Sequence, residues 1–227
     1  MVSDYDKCNK WCTHNKRLRV LLVEKLAQWL LKSNFIYSKS FVLDYGCGYF
    51  DLGFMLVDHV GGVDGYDSCF AGIEYAKSKI SDLKNVNLYF KLQDLPKNRY
   101  NLIVVNSVLQ YFTNEKEIAN FFCLAKHLLN SSLDSKIIIS DIIPMNYPVY
   151  LEAVEIFRYS AIRGLGMPVL TYLWRSLTGS EEFKLLRINF NAISKYAKQE
   201  GFQAVLLENN LTPFKRRYSA YFALKGV

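Results

Sequence analysis

The stretch from Phe41 to Gly53 reads F-V-L-D-Y-G-C-G-Y-F-D-L-G, and the rest of the chain is best read outward from it. Phe41, Val42 and Leu43 form a short apolar run of the kind that sits as a buried parallel strand. Asp44 ends the run, and Gly46 and Gly48 follow one residue apart. Leu52, Met55, Leu56 and Val60 then predict a helix. Gly46 permits a tight turn with positive φ, and Gly48 lets backbone come close to a ligand, because neither carries a Cβ. The helix begins with unpaired N–H groups aimed at the same spot. Strand, glycine turn and helix in that order open a nucleotide-binding α/β unit.

The 227 residues are enough for one domain with a sizeable core, and half of them are hydrophobic, which excludes a disordered chain. No apolar run reaches the length of a membrane span. The opening M-V-S-D-Y-D-K-C-N-K has mixed charges and no apolar stretch after it, so no secretory signal is expected. Five scattered cysteines, Cys8, Cys12, Cys47, Cys69 and Cys123, fit free thiols and a cytoplasmic location better than a disulfide scaffold. Cys8, Cys12 and His14 lack a second ligand pair at a useful spacing, so no metal site is expected. The net charge of +7 is uneven: +5 over residues 1–40, −2 over 41–140 and +4 over 141–227. Basic flanks suit an anionic or carrier-bound substrate, a membrane surface or nucleic acid, but equally an ordinary solvated surface.

Several further segments extend the α/β pattern. Asn15 to Lys32 reads as an amphipathic helix with Leu18, Leu22, Leu26 and Trp29 on one face. A second strand is expected over Val60 to Tyr66, closed by Asp67 and Ser68, and a helix over Ile73 to Leu83. A third strand, Val86 to Leu92, runs into Gln93, Asp94, Leu95 and Pro96. A fourth strand spans Tyr100 to Ser107, a helix Asn114 to Leu129, and a fifth strand Lys136 to Ser140, before Asp141. His127, set among Leu124, Leu128 and Leu129, reads as a buried histidine rather than a catalyst. Met145 to Arg187 breaks the alternation with an aromatic-rich stretch, read as two helices with a glycine break. Asn191 to Gln199 is a last helix, and strands Gln203 to Glu208 and Tyr218 to Leu224 close the chain.

The segment D-Y-G-C-G after an apolar strand resembles motif I of the class I S-adenosylmethionine-dependent methyltransferases, whose usual form is D-x-G-x-G-x-G. Phe50 stands where the third glycine normally lies; it either narrows the space near the cofactor or points into the core. Dinucleotide-binding Rossmann domains need a small residue at the sixth position of G-x-G-x-x-G, and here that position is Asp51. The family resemblance extends to G-Y-D-S-C-F-A-G-I-E-Y-A-K, to the D-x-L-P loop at Asp94 to Pro96, to Y-N-L-I-V-V-N-S and to the late pair Gly201-Phe202. It covers residues 41–143 and 188–225, leaving the first 40 residues and the aromatic insertion outside.

The resemblance implies an α/β, Rossmann-like seven-stranded sheet, mostly parallel with one antiparallel strand, with helices on both faces and a helical lid insertion. It implies a single methyltransferase domain over 1–227, with an N-terminal arm and helix over 1–40 and a lid over 144–187. S-adenosyl-L-methionine is the implied cofactor. Asp44, Gly46, Cys47 and Gly48 would form its loop, and Asp67 with Ser68 would hold the ribose, with Asp64 competing for that role. Gln93, Asp94 and Leu95 would read the adenine, Leu95 covering a ring face, while Asn106 and Ser107 would line the methionine end. Gln110 and Tyr111 would face the reaction centre or the next helix, and Asp141 the substrate. Candidate bases are His14, Asp141 and a tyrosine of the arm or lid, none singled out. Arg158, Arg163 and Arg175 could hold an anionic group. The expected function is methyl transfer to a small molecule, with a homodimer through the aromatic lid as one possible assembly. The alternatives are an RNA methyltransferase, against which N-S-V-L after strand four argues for exocyclic amine targets, and a cofactor-binding protein that no longer catalyses.

Overall fold

The computed structural model describes residues 16–132, 134–162 and 185–224. The arm with Tyr5, Trp11 and His14, and half of the segment expected as a lid, including its glycine break, lie outside the described residues. Helix α1 (Lys16–Lys32) leads into β1 (Phe41–Tyr45), α2 (Asp51–Leu56), β2 (Gly62–Tyr66), α3 (Phe70–Lys77) and β3 (Val86–Tyr89). Then come β4 (Leu102–Asn106), α4 (Glu115–Leu128), β5 (Lys136–Ile142), α5 (Val149–Ala161), α6 (Phe190–Gln199), β6 (Phe202–Leu206) and β7 (Tyr218–Leu224).

The strands form one seven-stranded sheet in the order β3-β2-β1-β4-β5-β7-β6. All neighbours are parallel except β7, which runs antiparallel to both β5 and β6. The central strands carry continuous apolar runs, Phe41 to Leu43, Leu102 to Val105 and Ile137 to Ile139, because both faces are covered. Side chains of successive residues leave opposite faces of a strand. Val42, Leu102, Val104 and Ile138 therefore join one core with Leu26 and Leu30 of α1, Leu52 and Leu56 of α2 and Ile73 of α3. Leu43, Ile103, Val105, Ile137 and Ile139 join a second core with Ile118, Phe122 and Ala125 of α4 and Ile193 and Ala197 of α6. Helices on both faces were expected, and the seven strands match.

Several boundaries differ from the sequence reading. Strand β3 stops at Tyr89, and a short 3-10 turn over Leu92–Asp94 replaces its expected end. Helix α3 starts earlier and stops at Lys77. Strand β5 continues to Ile142 through an irregular register between Ile139 and Ile142, where Asp141 takes φ 66°. Helix α4 is capped by the Asn114 side chain, which accepts from the Lys116 N–H, with two acids in its first turn and Lys126 and His127 in its last. Its buried stripe is Ile118, Phe121, Phe122, Ala125 and Leu128. His127 falls off that stripe and is exposed, correcting the expectation of a buried histidine.

Phe50 precedes α2 with φ 65° and ψ 25°, a left-handed conformation that costs a non-glycine residue about 1–2 kcal/mol. Its ring points into the core and is fully buried. Two glycines make room for it: a Cβ at Gly53 would overlap the ring, and one at Gly65 would sit 2.8 Å from it. The missing third glycine of the turn is thus offset by an aromatic anchor seated on glycines elsewhere. Gly53→Ala should therefore destabilise the protein by about 1–3 kcal/mol through overpacking, although alanine is the better helix former. Phe50→Ala should cost about 3–5 kcal/mol. In the Phe50→Ala background the Gly53→Ala penalty should vanish, and urea denaturation of the two single variants and the double variant measures this coupling.

Candidate functional site

The carboxyl ends of β1, β2, β4 and β5 converge on one crevice edge, where open parallel sheets take their ligands. After β1 the chain turns at Gly46, φ 81°. The Gly46 and Cys47 N–H groups both donate to the carbonyl oxygen of Tyr66, the last residue of β2, at 2.7 and 2.9 Å. A Cβ at Gly46 would overlap Val108, so packing as well as φ demands glycine there. Gly48, φ 53°, differs: nothing lies within 4 Å of where its Cβ would be, which leaves its face open to a ligand. Gly72 on α3 has the Gly48 carbonyl oxygen 2.7 Å from its absent Cβ, so the helix and the turn touch backbone to backbone.

Asp67 sits just beyond β2 and joins both turns. One of its oxygens accepts from the Gly48 N–H and the other from the Cys69 N–H, each at 2.7 Å. Burial raises its pKa in spite of these two stabilising bonds. Each oxygen keeps a lone pair for a hydroxyl donor. Ser68 is exposed. Asp64 is fully committed elsewhere: it accepts from Asn87, Arg99 and the Tyr100 hydroxyl inside the fold. That removes it as a rival to Asp67.

Asp44, at 3% exposure, is the electrostatic oddity of the site. Its Oδ2 is buried without a hydrogen-bond partner. Burial, then the nearby charges of Asp67 and Asp51, push its pKa up to about 8. A buried, unpaired carboxyl beside a second carboxylate is costly unless a cation or donor arrives.

The expected adenine readers separate. Gln93 and Asp94 are exposed on the 3-10 turn. Leu95 is buried and packs in the core cluster that holds Tyr45 and Tyr66. Phe70 and Phe90 stand out instead, an edge-to-face pair 5.5 Å apart and 49% and 38% exposed, at the entry to α3 and just past β3. Phe70 lies three residues after Asp67, but reading β3 through Leu92 hid Phe90 as a strand residue.

Asn106 and Ser107 are tied to β5. The Ser140 hydroxyl donates to Asn106 Oδ1 at 2.7 Å, and Ser107, φ 57°, donates to Asp141 at 2.6 Å. Asp141 also accepts from Thr212 at 2.9 Å and from Arg217 at 2.6 Å. Arg217, 5% exposed, reaches Glu152 on α5 at 2.5 Å and Gln110 at 3.3 Å. Arg187 holds the other Glu152 oxygen at 2.6 Å and donates to the Tyr147 carbonyl. Gln110 is thus buried, whereas Tyr111 is largely exposed. Tyr147 donates to Glu155, and burial with that bond raises its pKa, so it is no base near neutral pH. Of the three arginines expected to meet an anion, Arg158 is exposed, and the other two lie outside the described residues. Arg217, Arg187 and Glu152 were not singled out from sequence.

Among the described residues no three His, Cys, Asp or Glu side chains could hold a metal. Cys47 and Cys123 carry reduced thiols. Cys69 is disulfide-bonded, against the expectation of free thiols throughout. No described helix is long and apolar enough to cross a membrane.

No protein-family model matches the sequence, and no curated protein sequence matches it. Solved structures do. The magnesium protoporphyrin IX methyltransferase of Synechocystis PCC 6803, with bound S-adenosylhomocysteine, aligns at TM-score 0.62 and 18% identity over 96% of this chain and 94% of its own. A chain of the complex between the Haloferax volcanii Trm112 methyltransferase activator and a candidate methyltransferase aligns at TM-score 0.66 and 11% identity over 99% of each. A Leishmania major S-adenosylmethionine-dependent methyltransferase aligns at TM-score 0.60 and 16% identity, over 89% and 71%. The chain has the class I S-adenosylmethionine-dependent methyltransferase fold.

Asp44 makes a testable statement about pH. Its pKa is higher folded, about 8, than the ordinary 3.8. Between these values the unfolded chain loses the proton while the folded chain keeps it, so stability falls as pH rises through that window. Asp44→Asn should leave stability unchanged near pH 4 and raise it by roughly 3–5 kcal/mol above pH 8, as read by urea denaturation across pH.

Proposed function

We propose that this chain is an S-adenosyl-L-methionine-dependent methyltransferase acting on a small molecule. The observation that carries the reading is the pair of carboxylates at adjacent strand tips with an open glycine turn between them. Asp67 has lone pairs to spare beside Gly48, and Asp44 has a buried oxygen with no partner. An adenosyl amino acid suits both. Asp67 would accept the ribose hydroxyls, and Asp44 would meet the ammonium group, a cation that relieves its burial cost. The open face of Gly48 would admit the ligand's backbone-proximal atoms. Phe70 and Phe90 offer apolar ring surface to a purine.

When bound, the cofactor supplies a methyl group already activated on a sulfonium, ready for in-line displacement. The protein's task is then to align the acceptor and exclude water. Ser107, Gln110 and Asp141 form the polar floor for this at the tips of β4 and β5. Their hydrogen bonds to one another, Thr212 and Arg217 hold that floor in place. Structural neighbours whose names give their substrates include the methyltransferase for magnesium protoporphyrin IX and a mycolic acid cyclopropane synthase, and these favour a small-molecule acceptor over RNA.

S-adenosylhomocysteine should bind the full chain and raise its Tm, whereas NAD should do neither. Asp67→Ala should weaken that binding at least tenfold by isothermal titration, since it removes a charge-assisted pair of hydrogen bonds. Radiolabelled methyl groups should enter the small-molecule fraction of a cell extract. Incorporation into RNA instead would favour the nucleic-acid alternative, and binding without any transfer the non-catalytic one.

A further inference from the structure

The glycine turn lacks two of the usual supports for its geometry. Phe50 holds a left-handed conformation without being glycine, and it gives α2 no side-chain cap. Helix α2 has only six residues, too short to order the turn by itself. A contact from outside the unit adds a further restraint. Arg19 of α1 donates from Nε to Asp51, the first residue of α2, at 2.6 Å, and the side chains of both are 11% exposed. Its guanidinium lies 3.9 Å above the ring of Tyr49, the residue between Gly48 and Phe50. Tyr49 in turn meets Tyr75 of α3 edge to face at 5.1 Å, and the same guanidinium is 5.9 Å from that second ring. One side chain from α1 thus grips the turn, the start of α2 and the face of α3.

We propose that Arg19 is a positioning residue for the cofactor turn, so that cofactor affinity in this chain depends on a helix outside the nucleotide-binding βαβ unit. The proposal rests on the cofactor reading above. Planarity matters to it: guanidinium can bond Asp51 along its edge and stack on Tyr49 with its face at once, and an ammonium cannot. Charge matters as well, because Asp51 lies close enough to raise the pKa of Asp44. Arg19 offsets Asp51's negative charge at the site's margin.

The test is isothermal titration of the full chain with S-adenosylhomocysteine, with Tm measured on each unliganded protein. Arg19→Lys and Tyr49→Ala should each raise Kd fivefold or more. Lys25→Met is the control: Lys25 ties α1 to the carbonyl of Asn210 at 2.6 Å, away from the turn. That variant should lose Tm and keep its Kd. If Arg19→Lys and Tyr49→Ala stay within twofold of the wild-type Kd while the wild type binds, Arg19 is merely structural and the proposal is overturned. Equal Kd losses in Lys25→Met overturn it as well, since any loosening of α1 would then suffice. A wild type that does not bind S-adenosylhomocysteine overturns the cofactor reading itself, and this proposal with it.

Discussion

One carboxylate accepting from two backbone amides, each in a different βα turn, is the constraint on which the crevice depends. Asp67 reaches forward to Cys69 and back 19 residues to Gly48. Both amides belong to turns that begin helices, where N–H groups have no partner in the helix itself. Binding both with one side chain fixes the spacing of the β1 and β2 turns, and the Tyr66 carbonyl repeats the bond from below through Gly46 and Cys47. The neighbouring acid shows what this arrangement withholds. Asp44 stands one strand away with no donor on Oδ2, and burial, then the charges of Asp67 and Asp51, push its pKa up. Burial raises the pKa of both acids, and only Asp67 has backbone donors that work against it.

The second half of the crevice is organised by charge inside the protein. Arg217 joins Asp141 on β5 to Glu152 on α5, and Arg187 doubles the grip on Glu152. Buried ion pairs are no guarantee of net stability, because desolvation offsets much of the attraction. Their clearer effect is geometric. Ser107 and Asp141 both adopt left-handed conformations and bond to each other across the tips of β4 and β5. Such conformations cost about 1–3 kcal/mol each and persist where surrounding contacts fix them. Here Thr212 and Arg217 provide those contacts.

Much of the fold was legible because the strands are continuous apolar runs punctuated by glycine and acid. The order of the strands was not legible, because no local pattern states it. Asp67 is preferred to Asp64 because its segment resembles the family's helix entry, and Asp64 is bonded inside the fold to Asn87, Arg99 and Tyr100. His127 was misjudged although the signal existed: counting by helical period from Ile118 puts it off the buried stripe. The ionic cluster was not readable at all, because its partners lie 65 and 76 residues apart and nothing local marks them. Phe50 left two directions open, and the choice rested on glycines at positions 53 and 65 that admit its ring.

The position of β7 has a bearing on how the chain is made. It follows every other strand in sequence, yet it lies between β5 and β6, bonded on both edges. During synthesis the apolar margin of β5 must therefore wait, with its amides and carbonyls unpaired, until the final strand emerges. An exposed edge of that kind is a template for pairing with another molecule. The insertion of β7 between β5 and β6 closes that edge to such pairing.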